Sequence, residues 1–188
     1  MSQRPVTSQS DASPPDAQNA SRTKYLTDAA RNPPDRATLA KLRRGLGRLP
    51  GESGAAERDA IVLRGDPEAE SPWRLENACL VASLFGLHPE LGGRGSLARS
   101  LRRLAGDGEV PDGVERRFIA LLNSDADDLG PRLRQLVSLL KANDVPFDPE
   151  RLLRDLDGWD HPDRHVQRRW TSDFWGNRGT RSESATDA

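Results

Sequence analysis

Leucines recur along this chain at helical spacing, segment after segment, and no segment alternates at the spacing of a strand. In "DRATLAKLRRGLGRL", residues 35–49, Leu39, Leu42, Leu46 and Leu49 fall on one stripe of a 3.6-residue period. Leu97, Leu101 and Leu104 do the same in "SLARSLRRLAG", residues 96–106. The pattern repeats in "GVERRFIALLNS", "GPRLRQLVSLLKAN", "DPERLLRDL" and "PDRHVQRRWTSDFW", while "RDAIVLRG" reads as a shorter turn or helix. Alternating runs of β-branched residues are lacking, so strands find no support. The chain is therefore predicted to be all-α, with about eight helices and short connections.

Local signals place several helix starts. Asp35 follows Pro33-Pro34 and suits an N-cap. Ser71 precedes Pro72, and Asp148 precedes Pro149, each a cap followed by proline at the first helical position. Pro131 fits a first helical turn likewise. The segment "SPWRLENACLVASLFGLHP" is apolar almost all round from Ala78 to Leu87, which predicts a central helix buried on several sides.

Hydrophobic residues make up 35% of the 188 and charged residues 30%, a mix that suits a small core with a long charged surface, or an ordered body with disordered tails. Residues 1–34 and 177–188 hold too few large apolar side chains to offset ordering entropy and are expected to be disordered. The body is expected over 35–176. Glycine-rich "LGGRGS" at 91–96 makes a seam between two helical parts, 35–91 and 92–176. The single cysteine, Cys79, sits in an apolar run and reads as a buried structural thiol, so neither a disulfide framework nor a CxxC zinc pattern can form. No apolar stretch approaches the roughly 20 residues that span a bilayer, and no signal-peptide core opens the chain. A cytoplasmic setting without membrane contact is expected.

Catalytic constellations are not assembled. "GGRGS" leads into a helix capped by Ser96, and such a loop can hold an anion, yet the Walker lysine and the GxGxxG pattern are missing. It reads foremost as a flexible connection. His161 and His165 stand at i, i+4 near Asp160 and Asp163, without the HExxH pattern; capping and surface contacts account for them. His88 precedes Pro89 at a helix end, where a donor is favourable. "NSDADD" and "DLDGWD" fail the EF-hand spacing and read as helix punctuation. With no Ser–His–Asp elbow either, no metal, cofactor or small-molecule substrate is expected, and the chain is not expected to be an enzyme.

Charge distribution is the strongest functional signal. The formal net charge is only −1, so no global basic signature exists. The cations are instead grouped: Arg36, Lys41, Arg43, Arg44 and Arg48 in residues 36–49; Arg99, Arg102 and Arg103 in 96–106; Arg132, Arg134 and Lys141 in 131–142. None of these stretches contains an acid. One basic helix face is usually only solvated. Three acid-free ones in a near-neutral chain point toward phosphate, and the preference for arginine suits planar, bidentate contact. Trp73, Phe85, Phe118, Trp170 and Phe174 fall on apolar stripes and are expected in the core, leaving no platform for stacking bases. Contact is thus expected with backbone rather than base sequence.

The ordered series "LAKLRRGLGRLPG", "ASLFGLHPE", "GSLARSLRRLAG", "VERRFIALLNSD", "LRQLVSLLKA" and "RLLRDLDGWDHPDRHVQRRWTSDFW" resembles the CasB-type small subunit of Cascade, the type I-E CRISPR interference complex. The similarity covers residues 36–176; the long N-terminal tail departs from it. The resemblance implies a non-catalytic, all-α protein in two helical parts. It implies two copies lying head to tail, supporting the guide RNA–target hybrid and the displaced DNA strand beside other Cascade subunits. Carried over motif by motif, the nucleic-acid-binding positions are Arg43, Arg44, Arg99, Arg102, Arg116, Arg117, Arg132 and Arg134; charge pattern adds Arg103 and Lys141. Of Arg116 and Arg117, one is placed to pair with Glu115 or another acid instead. Two other readings compete: a free-standing helical DNA- or RNA-binding regulator, and a small helical enzyme using His161 and His165.

Overall fold

In the computed structural model, residues 34–65, 72–106 and 108–176 are described. Eight α-helices occupy them: α1 (Arg36–Arg44), α2 (Ala56–Gly65), α3 (Pro72–Leu87), α4 (Leu97–Arg103), α5 (Asp112–Leu122), α6 (Leu129–Ala142), α7 (Pro149–Asp157) and α8 (His165–Trp175). A short 3₁₀ turn, Ala126–Asp128, leads into α6, and the described residues contain no strand. The all-α expectation holds. Ser71 and the two terminal tails, apart from Pro34, lie outside the described residues.

Caps appear where the sequence placed them. Asp35 accepts the backbone N–H of Thr38 at 2.6 Å, Ser96 that of Arg99 at 3.3 Å, and Asp148 that of Arg151 at 2.9 Å. Each satisfies a donor that the first turn leaves unpaired. The last helix begins at His165, after Arg164 in the left-handed region at φ 48, three residues beyond Pro162, the first residue of the segment with helical period. A hydrogen bond from the Arg164 guanidinium to the Leu122 carbonyl holds that turn against the end of α5.

α3 is the central element, as its all-round apolar sequence requires. From Ala78 to Gly86 only Leu80 is not fully buried, and α1, α2, α6 and α7 all pack on it. One continuous core cluster runs from Leu42 to Phe174. At its far end Phe118 stacks on Phe174 with centroids 4.1 Å apart, while Trp159 meets Trp170 edge-on at 5.2 Å. Buried hydroxyls are answered by carbonyls: Ser83 donates to that of Cys79 one turn back and Ser100 to that of Pro146. The His88 Nε2 lies 2.9 Å from the Val145 carbonyl, which can only accept, so that nitrogen carries the proton.

Two apolar residues depart from the expected core. Helix α1 stops at Arg44 rather than running to Leu49, because Gly47 turns back with φ 80 and Arg58 crosses Gly45 so closely that a Cβ there would sit 2.6 Å from its Cδ. Leu46 still packs on the core, but Leu49 is 58% exposed. Trp73, in the first turn of α3, is 46% exposed, whereas Phe85, Phe118, Trp170 and Phe174 are buried as expected.

The α1–α3 crossing depends on Gly86. A Cβ at this position would lie 2.7 Å from the Leu42 Cβ and 2.9 Å from the Arg43 backbone nitrogen. Gly86→Ala is expected to destabilise the fold by about 1–3 kcal/mol through overpacking. This outcome opposes the roughly 1 kcal/mol that alanine gains over glycine in an unstrained helix. A urea midpoint equal to or above that of the parent would show that the crossing relaxes freely.

Candidate nucleic-acid interface

The ten cations singled out from the sequence all lie at least partly exposed, and their partners sort them. Arg43, Arg103, Arg116, Arg134 and Lys141 are exposed, and among the described residues none of their side chains makes an ion pair or hydrogen bond. Arg102 and Arg117 donate to the carbonyls of Gly108 and Gly113, at 3.2 Å and 2.7 Å, and keep their full charge. Arg44, Arg99 and Arg132 face carboxylates: Glu57 at 2.9 Å, Asp173 at 2.8 Å and Asp128 at 3.8 Å. The acid-free stretches are thus only partly acid-free in space. The acid expected to claim Arg116 or Arg117 does neither, because Glu115 accepts the indole N–H of Trp175 at 3.0 Å.

These three pairs are not equal. Arg44 and Glu57 are both about half exposed or more, and the Arg132–Asp128 pair is long with an exposed acid. Exposed pairs of that kind contribute little and exchange readily with other ions. In the third pair the arginine side chain is 62% exposed but the Asp173 side chain only 16%. The Ser96 hydroxyl donates to the other Asp173 oxygen at 2.6 Å. Burial pushes the Asp173 carboxyl up, yet the hydrogen bonds from Ser96 and Arg99 and the charges of Arg99 and Arg169 outweigh it. The net position is below the ordinary carboxylate value.

A groove of about 1550 Å³ opens between the loop after α1, the start of α3, the outer face of α6 and the turn after α7. It brings Arg117 and Arg134 to one surface with Arg48, alongside Glu76, Asp127 and Asp160. Its charge is mixed, and the other eight candidate cations do not line it. Leu49 and Trp73, the two apolar residues that left the core, stand on its walls.

Three buried or half-buried charge networks escaped the sequence reading. Arg58, 1% exposed, donates to the carbonyls of Gly45 and Arg48 and twice to Asp59 Oδ1. Asp59 also accepts the Gly51 N–H at 2.8 Å. Burial raises the Asp59 carboxyl, and the Gly51 and Arg58 contacts bring it net below the ordinary range. Asp155, read as helix punctuation, is instead 1% exposed and accepts from Arg151, Arg169 and the Trp170 indole. The third network is Ser96–Asp173–Arg99. Beside Asp59, burial pushes the Cys79 thiol up to about 12. His161 and His165 meet edge-on with centroids 4.9 Å apart, and among the described residues no three His, Cys, Asp or Glu side chains are placed to hold a metal ion. No helix among those residues is long and apolar enough to cross a membrane.

Fold and surface together define a small all-helical protein with exposed cations distributed over its outer helix faces. A family model for CRISPR-associated protein Cse2 matches residues 38–175, and the chain belongs to the Cse2 family. The resemblance to CasB-type small subunits is thereby borne out. The curated CRISPR-associated protein Cse2 of Thermus thermophilus is 37% identical over 119 residues, which cover 61% of this chain and 67% of that one. The crystal structure of CasB from Thermus thermophilus superposes with a TM-score of 0.65 at 32% identity, covering 87% of this chain and 99% of that one. A chain of a CRISPR RNA-guided surveillance complex matches with a TM-score of 0.67 at 27% identity, over 84% of this chain and 91% of that one.

The lowered carboxyls of Asp59 and Asp173 give the fold a defined acid response. Their stabilisation is complete above the ordinary carboxylate value of 3.8 and is lost as pH falls through the lower folded-state values. Urea midpoints are expected to hold level down to about pH 4 and then drop. Asp173→Asn removes one contributor, so its midpoint falls less over the acid range; an acid slope identical to the parent's would show that Asp173 does not carry it.

Proposed function

We propose that this chain acts as a non-catalytic small subunit of a Cascade-type CRISPR surveillance complex, in which it holds nucleic-acid backbone without regard to sequence. It supports the guide RNA–target hybrid and the displaced DNA strand. It sits beside other subunits and a second copy of itself, in the cytoplasm. What carries this reading is the set Arg43, Arg103, Arg116, Arg134 and Lys141, exposed cations without a partner among the described residues, on a fold shared with a surveillance-complex chain. The physical argument is direct. An exposed arginine that spends no donor within its own chain keeps its full fork of N–H groups for a phosphate. Each phosphate neutralised releases condensed counterions, which gives affinity independent of base identity. Stacking is left a minor part, because Phe85, Phe118, Trp159, Trp170 and Phe174 are all enclosed in the core and, among the described tryptophans and phenylalanines, Trp73 on the groove wall alone offers an exposed ring.

In the assembled complex, glutamine at Arg43, Arg103 and Arg116 together is expected to weaken binding equally on unrelated sequences. The slope of log K against log salt flattens by about 0.9 per lost contact on duplex and about 0.7 on single strand. Alanine at His161 and His165 leaves target binding intact, since neither ring takes part. An unchanged slope in the triple variant, with the complex still assembled, would remove phosphate from these faces and overturn the reading.

A further inference from the structure

Arg99 stands apart from the other candidate cations because its partner is tied down. Asp173 comes from α8, 74 positions further along the chain, and its carboxylate is sequestered between α4 and α8. One oxygen accepts from the Ser96 hydroxyl at 2.6 Å and the other from Arg99 Nη2 at 2.8 Å. Ser96 is 2% exposed and also caps α4, so the carboxylate is anchored to the first turn of the helix that carries Arg99. A mobile surface acid would yield its arginine to an incoming phosphate. This one cannot swing away without leaving Ser96, and its carboxyl, already favouring the ionised form, stays charged at neutral pH.

The electrostatic consequence is a pair of zero net charge where the sequence shows a lone arginine. Nη2 is engaged, while Nε and Nη1 make no hydrogen bond among the described residues. A phosphate approaching Arg99 gains those donors but meets a fixed negative charge behind them, so fewer counterions are released on contact. Arg103, one turn further along the same helix, has no such partner among the described residues.

We infer that Asp173 is an affinity-setting residue of the nucleic-acid interface: held by Ser96, it masks the charge of Arg99 and keeps this part of the surface weak. The inference rests on the backbone-binding reading of the preceding section and adds a residue of opposite sign to it. It gives a result contrary to ordinary damage. Removing an interhelical ion pair loosens a structure, and loosening weakens binding; removing a mask strengthens it.

The test uses the full-length chain, free and in the assembled complex, with a duplex and a single-stranded oligonucleotide of arbitrary sequence as probes. Asp173→Asn keeps the shape and one acceptor for Ser96 while deleting the charge. Binding is expected to tighten several-fold at low salt, and the salt slope to steepen by up to about 0.9 on duplex or about 0.7 on single strand. Asp173→Glu retains the charge and is expected to bind like the parent. In an Arg99→Gln background the Asp173→Asn gain collapses. Asp173→Ser, smaller and also uncharged, has the same expected sign and serves where the asparagine variant does not fold. Folded variants with unchanged or weaker binding would overturn the inference, as would a gain that persists without Arg99. Failure of the wider reading looks different: there the Arg43, Arg103 and Arg116 triple variant also leaves the salt slope unchanged.

Discussion

From Ala78 to Gly86 helix α3 is apolar on almost every side and has no face to turn toward water, and that stretch imposes its demand on the rest of the chain. Four helices close around it, drawn from before and after it in the sequence. Covering it consumes the apolar stripes of α1, α2, α6 and α7, so their remaining faces must be polar. With hydrophobic content at 35% there is little left to bury elsewhere. The outward cations of α1 and α6 are therefore the complement of one dry helix, while those of α4 and α5 stand on helices that pack on α8 and α6 instead. The crossing at Gly86, where the α1 and α3 backbones approach too closely for a side chain, is the tightest expression of that demand.

Charge inside the body is handled by short networks built on Arg58 and Asp155. Arg58 binds the carbonyls of Gly45 and Arg48 just past the end of α1 and neutralises itself on Asp59. Asp155 collects two guanidinium groups and an indole at the junction of α7 and α8. A buried pair of this sort adds little net stability over apolar packing, but breaking one partner away is costly. Such networks fix geometry: Arg58 holds the turn that follows α1, and Asp155 sets how the last helix lies on its neighbour.

Much of the fold was legible because its signals are local. Helical period, the caps at Asp35, Ser96 and Asp148, and the all-round apolar run of α3 each need only a dozen residues of context. The failures are of another kind. Leu49 and Trp73 were assigned to the core by period alone, and the Gly45-x-Gly47 pair that ends α1 early was the available sign against the first. Nothing local announces Asp173 as the partner of Arg99, 74 positions away, or Asp155 as a hub. Counting acids within a stretch measures repulsion along a helix and is blind to what the next helix brings. The candidate interface was thus readable as a list of cations, but not as a division into free and compensated ones.

The environment of Cys79 has a practical side. It is the only cysteine in the chain, it is 1% exposed, and burial holds its thiol near 12. Thiolate is the reactive form, so at neutral pH this sulfur is chemically silent toward maleimides and disulfide reagents while the fold persists. A cysteine introduced on any outer helix face would then be the sole labelling site, with no need to replace the native one. Distances between probes on α1, α4 and α6 could be followed in a chain whose core has been left untouched.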